Sequence, residues 1–196
     1  MQVKITLAKT AGFCFGVNRA VNMLYDLVSK GEKISTFGPI IHNPQVINDL
    51  SNKGVTILDD IKNATSDRKV VIRTHGVEKD VLKYCNDNSL NYIDATCPFV
   101  KKIHKIVKKN STETLPVLIA GDKNHPEVVG IKSYCLGECF TFNSSEELEK
   151  IFQNKSFNTE KPFIVVVLWL IFGIFRDILY MICGFLSVCC RRNGFS

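Results

Sequence analysis

From Val3 to Phe152, short apolar β-branched runs alternate with segments of helical periodicity, and that alternation points to a parallel α/β fold. The strand candidates are Val3–Leu7, Ile34–Phe37, Val55–Leu58, Val70–Arg73, Asn91–Ala95, Leu115–Ala120 and Cys139–Phe142. A helix follows Gly16, with Val17, Ala20, Val21, Leu24, Leu27 and Val28 on one face. Gly31 is placed to end it in the left-handed conformation that helix C-termini favour. Pro44, Pro98 and Pro126 open further helices, because the fixed φ of proline suits the first helical position. Val77, Val81, Leu82 and Cys85 mark another, and Ser144 caps a short helix running through Phe152. The lysines of the Pro98 helix (Lys101, Lys102, Lys105, Lys108 and Lys109) read as a solvated face.

One unit recurs without a fixed period: a strand ends, a short turn follows, a Cys or His appears, and a helix begins. Cys14, His42, His75, Cys97 and His125 all occupy that slot. In open α/β sheets, ligands bind beyond the carboxyl ends of the strands, where helix N-termini present free N–H groups. Five soft or basic side chains at such junctions are expected to converge on one cleft.

Each residue has a bland use and a chemical one. Cys14 sits between glycines in Gly12-Phe13-Cys14-Phe15-Gly16, which would let the backbone approach a bulky ligand. Cys97, in Asp94-Ala95-Thr96-Cys97-Pro98, stands at a helix entry that favours the metal-binding thiolate. Both could instead be buried structural cysteines. His42, His75 and His125 could donate hydrogen bonds to phosphate oxygens or simply cap and pack. Zinc is a competing use for two Cys and two His, although no C-x2-C pair joins these residues. Cys135 and Cys139, four apart, could form half of a metal site but are expected to pack. His104, beside an apolar helical stripe, is expected to be structural. Glu127 is either an acid stabilised at a helix N-terminus or a proton source for the site. A net charge of +6 is too small for a nucleic-acid footprint and suits an anionic metabolite. The opening Met1-Gln2-Val3-Lys4 carries no apolar signal, so the cytoplasm is the expected compartment.

Five motifs in register resemble the hydroxymethylbutenyl diphosphate reductase family of isoprenoid biosynthesis. They are Ala11-Gly12-Phe13-Cys14-Phe15-Gly16-Val17, Ile41-His42-Asn43, Thr74-His75-Gly76-Val77, Asp94-Ala95-Thr96-Cys97-Pro98 and His125-Pro126-Glu127-Val128. The resemblance runs from Met1 to about Val166. It implies a trilobed α/β fold built from small, mostly parallel sheets flanked by helices. It also implies a [4Fe–4S] cluster held by three cysteines, with Cys14 and Cys97 matching two of them. His42, His75 and His125 match the family's substrate-binding histidines, and Glu127 matches its proton-relaying acid. The implied reaction removes the hydroxyl of an allylic diphosphate as water, with electrons from a ferredoxin or flavodoxin. The alternative is a Cys/His metal- or phosphate-binding module without redox activity.

The domains expected on this basis are a first α/β lobe over 1–97, a second over 98–166, and an apolar tail over 167–196. The family's Gln-Thr-Thr segment, third cysteine and Ser-x-Asn segment have no counterpart here, and its Val3–Leu7 strand pairs with that last lobe. The abrupt change near Val166 reads as a slip into another frame. The expected consequence is two lobes of three, with poor folding and impaired activity. A membrane anchor is the rival reading. The two apolar runs, Phe163–Phe175 and Ile178–Cys190, are each 13 residues long, whereas a span needs about 17–25. Joining them would bury Arg176 and Asp177, so a membrane association is not expected.

Overall fold

The computed structural model describes residues 12–153 and 164–167. The Val3–Leu7 strand and the tail beyond Val167, with Cys183, Cys189 and Cys190, lie outside the described residues. The chain divides into two compact units. The first takes in the described residues up to Val77 together with Val81–Lys101, and the second Glu78–Asp80 together with the described residues from Lys102 on.

The first unit is a four-stranded sheet in the order β2-β1-β3-β4, built from β1 (Ile34–Phe37), β2 (Thr56–Leu58), β3 (Lys69–Ile72) and β4 (Tyr92–Asp94). Every pairing is parallel. Helix α1 (Phe15–Ser29) leads into β1, α2 (Pro44–Asn52) lies between β1 and β2, α3 (Lys79–Asp87) lies between β3 and β4, and α4 (Pro98–Asn110) follows β4. A strand buried on both faces need not alternate in polarity, and β3 shows this. Val71 packs with Ala20, Leu24 and Leu50 on one side, while Val70 and Ile72 pack with Ile61, Val77 and Cys85 on the other.

Local chemistry sets the helix ends. After α1, Gly31 adopts φ +74°; its N–H reaches the carbonyl of Val28 at 2.9 Å and that of Glu32 reaches Leu27 at 3.2 Å. This closes the helix in the way its position predicts. Asn43 caps α2 by accepting from the Val46 N–H at 3.1 Å. Val77 is buried but stands ahead of α3, because Gly76 at φ +76° turns the chain before the helix can start.

The second unit is a three-stranded parallel sheet in the order β6-β5-β7, from β5 (Val117–Ala120), β6 (Cys139–Phe142) and β7 (Ile164–Val167). Val117 and Ile119 pack against Val128 and Ile131 of α5 (Pro126–Lys132). Leu118 and Ala120 face Phe142 and Leu148, the latter on α6 (Ser145–Gln153). Ser144 caps α6 as expected, accepting from the Glu147 N–H at 3.3 Å. Two expectations are refined. Ile164–Val167 is a strand in register with β5, and Lys101 is not part of the solvated face, since it pairs with Asp94 at 2.7 Å. No helix among the described residues is long and apolar enough to cross a membrane.

Candidate functional site

Because β1, β3 and β4 run parallel, the loops that leave their carboxyl ends emerge along one edge of the first sheet. Those loops carry His42, His75 and Cys97, and hydrogen bonds tie them into a row. The Thr74 hydroxyl donates to the Ile40 carbonyl at 2.9 Å, linking the turn of His75 to that of His42. The Cys97 N–H donates to the Thr74 carbonyl at 2.9 Å, linking the next pair. The His42 and His75 rings stand 4.8 Å apart, tilted by 39°. His42 is exposed and His75 half-buried.

Cys14 joins this row through the first turn of α1, of which it is the N-cap residue. A Cβ built on Gly16 would lie 2.5 Å from the Cys97 Sγ and 3.1 Å from its Cβ. The Cys97 sulfur therefore rests against the helix two residues from Cys14, and only the bare Cα of glycine permits that approach. Arg19, one turn on, donates to the carbonyls of Ala95 and Thr96, each at 2.9 Å. Two thiols remote in sequence are thus brought to one place by a glycine contact and a guanidinium clamp. Phe13, Phe15 and Phe99 beside them are 44%, 66% and 67% exposed. Apolar surface of this kind, set around polar ligands, marks a place to be covered by a ligand or partner.

The turn that holds Cys97 has its own electrostatics. Burial pushes the Asp94 carboxyl up, but the Lys101 ammonium and the Thr96 N–H and hydroxyl outweigh it and hold Asp94 below the usual carboxylate range. The Thr96 N–H donates to Asp94 at 3.0 Å. Sequence reasoning missed this pair, and it missed Arg19. Only the tertiary fold shows that the Arg19 side chain crosses to the turn that follows β4.

His125 and Glu127 lie together in the second unit, where β5 gives way to α5. His125 is the N-cap, its Nδ1 accepting from the Glu127 N–H at 3.3 Å. A ring nitrogen that accepts carries no proton, so the ring proton of this capping tautomer sits on Nε2. The cap makes a prediction. His125→Asn should keep the stability of the chain because Asn caps well, whereas His125→Ala should cost about 1 kcal/mol in urea unfolding. Equal losses from both would show that the cap contributes nothing.

Glu127 departs from the simple picture of an acid stabilised at a helix N-terminus. Burial raises its pKa above the ordinary value, which favours the protonated form. His104 is structural, as expected: it is 6% exposed and stacked on Tyr134 at 4.6 Å. Among the described residues, no three His, Cys, Asp or Glu side chains converge as a metal site. Cys14 and Cys97 would fit part of a thiolate ligand set. Their chemistry fits an iron–sulfur cluster, which takes thiolate donors in apolar surroundings.

The family profile described as LytB protein matches residues 5–168. A 4-hydroxy-3-methylbut-2-enyl diphosphate reductase of Thermoanaerobacter sp. strain X514 is 41% identical over 184 residues, covering 92% of this chain and 62% of the relative. The reductase of the same name from Campylobacter hominis is 45% identical over 150 residues, covering 76% and 53%. A solved structure described as (E)-4-hydroxy-3-methyl-but-2-enyl diphosphate reductase, the terminal enzyme of the non-mevalonate pathway, superposes with a TM-score of 0.65 at 34% identity. That superposition covers 85% of this chain and 68% of the other. The chain thus spans between half and two-thirds of the length of these curated relatives.

Proposed function

The chain belongs to the LytB protein family, and from that premise we propose that it serves the reductive dehydroxylation named for its relatives. The substrate is 4-hydroxy-3-methylbut-2-enyl diphosphate; two electrons and two protons release its hydroxyl as water and leave isopentenyl and dimethylallyl diphosphates. The observation that carries this reading is the seat of the Cys97 sulfur on Gly16, beside Cys14 and in the same row as His42 and His75.

Cys14 and Cys97 are the residues of this chain that would hold a [4Fe–4S] cluster, which when bound would supply the electrons for the reduction. His42 and His75 direct ring N–H groups at diphosphate oxygens, where charge-assisted bonds are the strong ones. His125 adds a further ring N–H donor for the diphosphate. Glu127, biased toward its acid form by burial, holds a proton on its carboxyl for the departing hydroxyl, as a general acid must. A ferredoxin or flavodoxin is the proposed electron donor, and the cytoplasm the proposed compartment.

The test is anaerobic reconstitution of the full chain with iron and sulfide. The expected result is bound iron and sulfide with the broad visible absorbance of a cluster, and oxidation of a reduced dye that depends on the allylic diphosphate. Stoichiometric zinc, with no iron retained and no dye oxidation, would sink the proposal in favour of a metal- or phosphate-binding module.

A further inference from the structure

Outside the residues given a role above, the described residues of the second unit include two free thiols, Cys135 and Cys139, both half-buried. They pack into one apolar cluster with Ile131, Tyr134 and Ile164. Cys135 lies just beyond α5, its N–H donating to the Lys132 carbonyl at 3.1 Å. Cys139 opens β6 and pairs with Val117 of β5.

Each residue of the turn between them is anchored. The Leu136 N–H donates to the buried Ser111 hydroxyl at 3.2 Å. Gly137 lies so close to the backbone of Thr112 and Glu113 that it has no room for a side chain. The Glu138 carbonyl accepts from the Val117 N–H at 2.9 Å. The turn therefore brings the two thiols together against one apolar cluster, where each acts on the other's acidity and the Cys135 thiol donates to the Ile131 carbonyl at 3.8 Å.

We propose that Cys135 and Cys139 form a redox-active dithiol that a low-molecular-weight disulfide oxidises to an intramolecular disulfide. The two sulfurs are unequal partners. The neighbouring Cys139 thiol holds the Cys135 thiol below its ordinary pKa despite burial, helped by the Lys132 and Lys79 ammonium groups. The same neighbourhood, with burial, pushes Cys139 up. Cys135 is thus the attacking thiolate and Cys139 the resolving thiol. Cys135 sulfur attacks one sulfur of the oxidant, forming a mixed disulfide and releasing one thiolate. Cys139 then gives up its proton, and its sulfur displaces the second thiolate from Cys135. Two electrons pass from the dithiol to the oxidant, which leaves as two thiols. The new bond ties the end of α5, the helix whose first turn carries His125 and Glu127, to the start of β6.

The test treats the reduced full-length protein with oxidised glutathione, alkylates what remains free, and maps the tryptic peptide Ser133–Lys150, which contains both thiols. The expected product is that peptide lighter by two hydrogens, unalkylated and free of glutathione. A peptide that stays fully alkylatable while the exposed Cys14 reacts would overturn the proposal, and so would one that accumulates glutathione. Cys139→Ser should trap glutathione on Cys135, on the order of tenfold faster than Cys135→Ser traps it on Cys139. Equal or reversed rates would overturn the assignment of roles. None of these outcomes depends on whether the chain carries a cluster or turns over a diphosphate.

Discussion

Glu127→Gln is expected to lower turnover of the allylic diphosphate by about 10²–10⁴-fold while leaving the protein as stable as the parent or more so. The loss follows from the role: an amide cannot deliver a proton, and a positioned general acid contributes about that factor. The shape of Gln is otherwise close to that of Glu, so binding through the histidines should persist and kcat should fall much more than KM changes. The stability gain follows from the same burial that suits the residue to its task. A carboxyl whose folded pKa is raised contributes its full stability below the unfolded value of about 4.3. That contribution is lost as pH rises through the higher folded value. Gln mimics the protonated state at every pH. Its advantage in urea unfolding should therefore open above about pH 4.3, grow until the folded Glu127 has ionised, and then stay constant. A variant that is both inactive and less stable at pH 7 would show a structural acid instead of a proton source.

Much of the framework behind that prediction was legible in the sequence, because it is local. β1 and β6 fall where the apolar runs place them, and Gly31, Asn43 and Ser144 cap as their chemistry requires. Parallel pairing follows from the strand–helix alternation, whereas the strand orders β2-β1-β3-β4 and β6-β5-β7 do not. β7 was hidden for a physical reason: Phe163–Phe175 is one unbroken apolar run, and periodicity cannot mark where a buried strand ends inside such a run. The site divides in the same way. The slots of Cys14, His42, His75, Cys97 and His125 could be read from strand-to-helix junctions. The contacts that set their geometry could not. The Arg19 clamp and the bond from Thr74 to Ile40 join segments far apart along the chain, and the Asp94–Lys101 pair depends on how the turn between them folds. The mutual influence of Cys135 and Cys139 was equally out of reach, since four-residue spacing across a turn fits plain packing as well.

The glycine in the first turn of α1 brings these strands together, because it is where a local preference and a tertiary demand conflict. Alanine is the better helix former by about 1 kcal/mol, so an exposed Gly16→Ala change would stabilise α1. Gly16 is buried, however, and the added methyl would sit 2.5 Å from the Cys97 sulfur and 3.7 Å from its Cα. The sulfur is one bond from its Cβ and cannot swing aside as the end of a long side chain could. Either the turn at Thr96–Cys97 moves or α1 lifts from it, and the Arg19 bonds to Ala95 and Thr96 resist both. Overpacking of this kind costs about 1–3 kcal/mol, which exceeds the gain in propensity. Gly16→Ala should therefore unfold at lower urea than the parent and retain less iron after reconstitution, because the Cys97 thiolate is displaced relative to Cys14. The paired control is Gly31→Ala, which strains a left-handed position in open space and should cost stability while leaving iron content unchanged. If Gly16→Ala instead stabilises the chain and binds iron normally, Cys97 does not rest on α1, and the two thiols do not share a site.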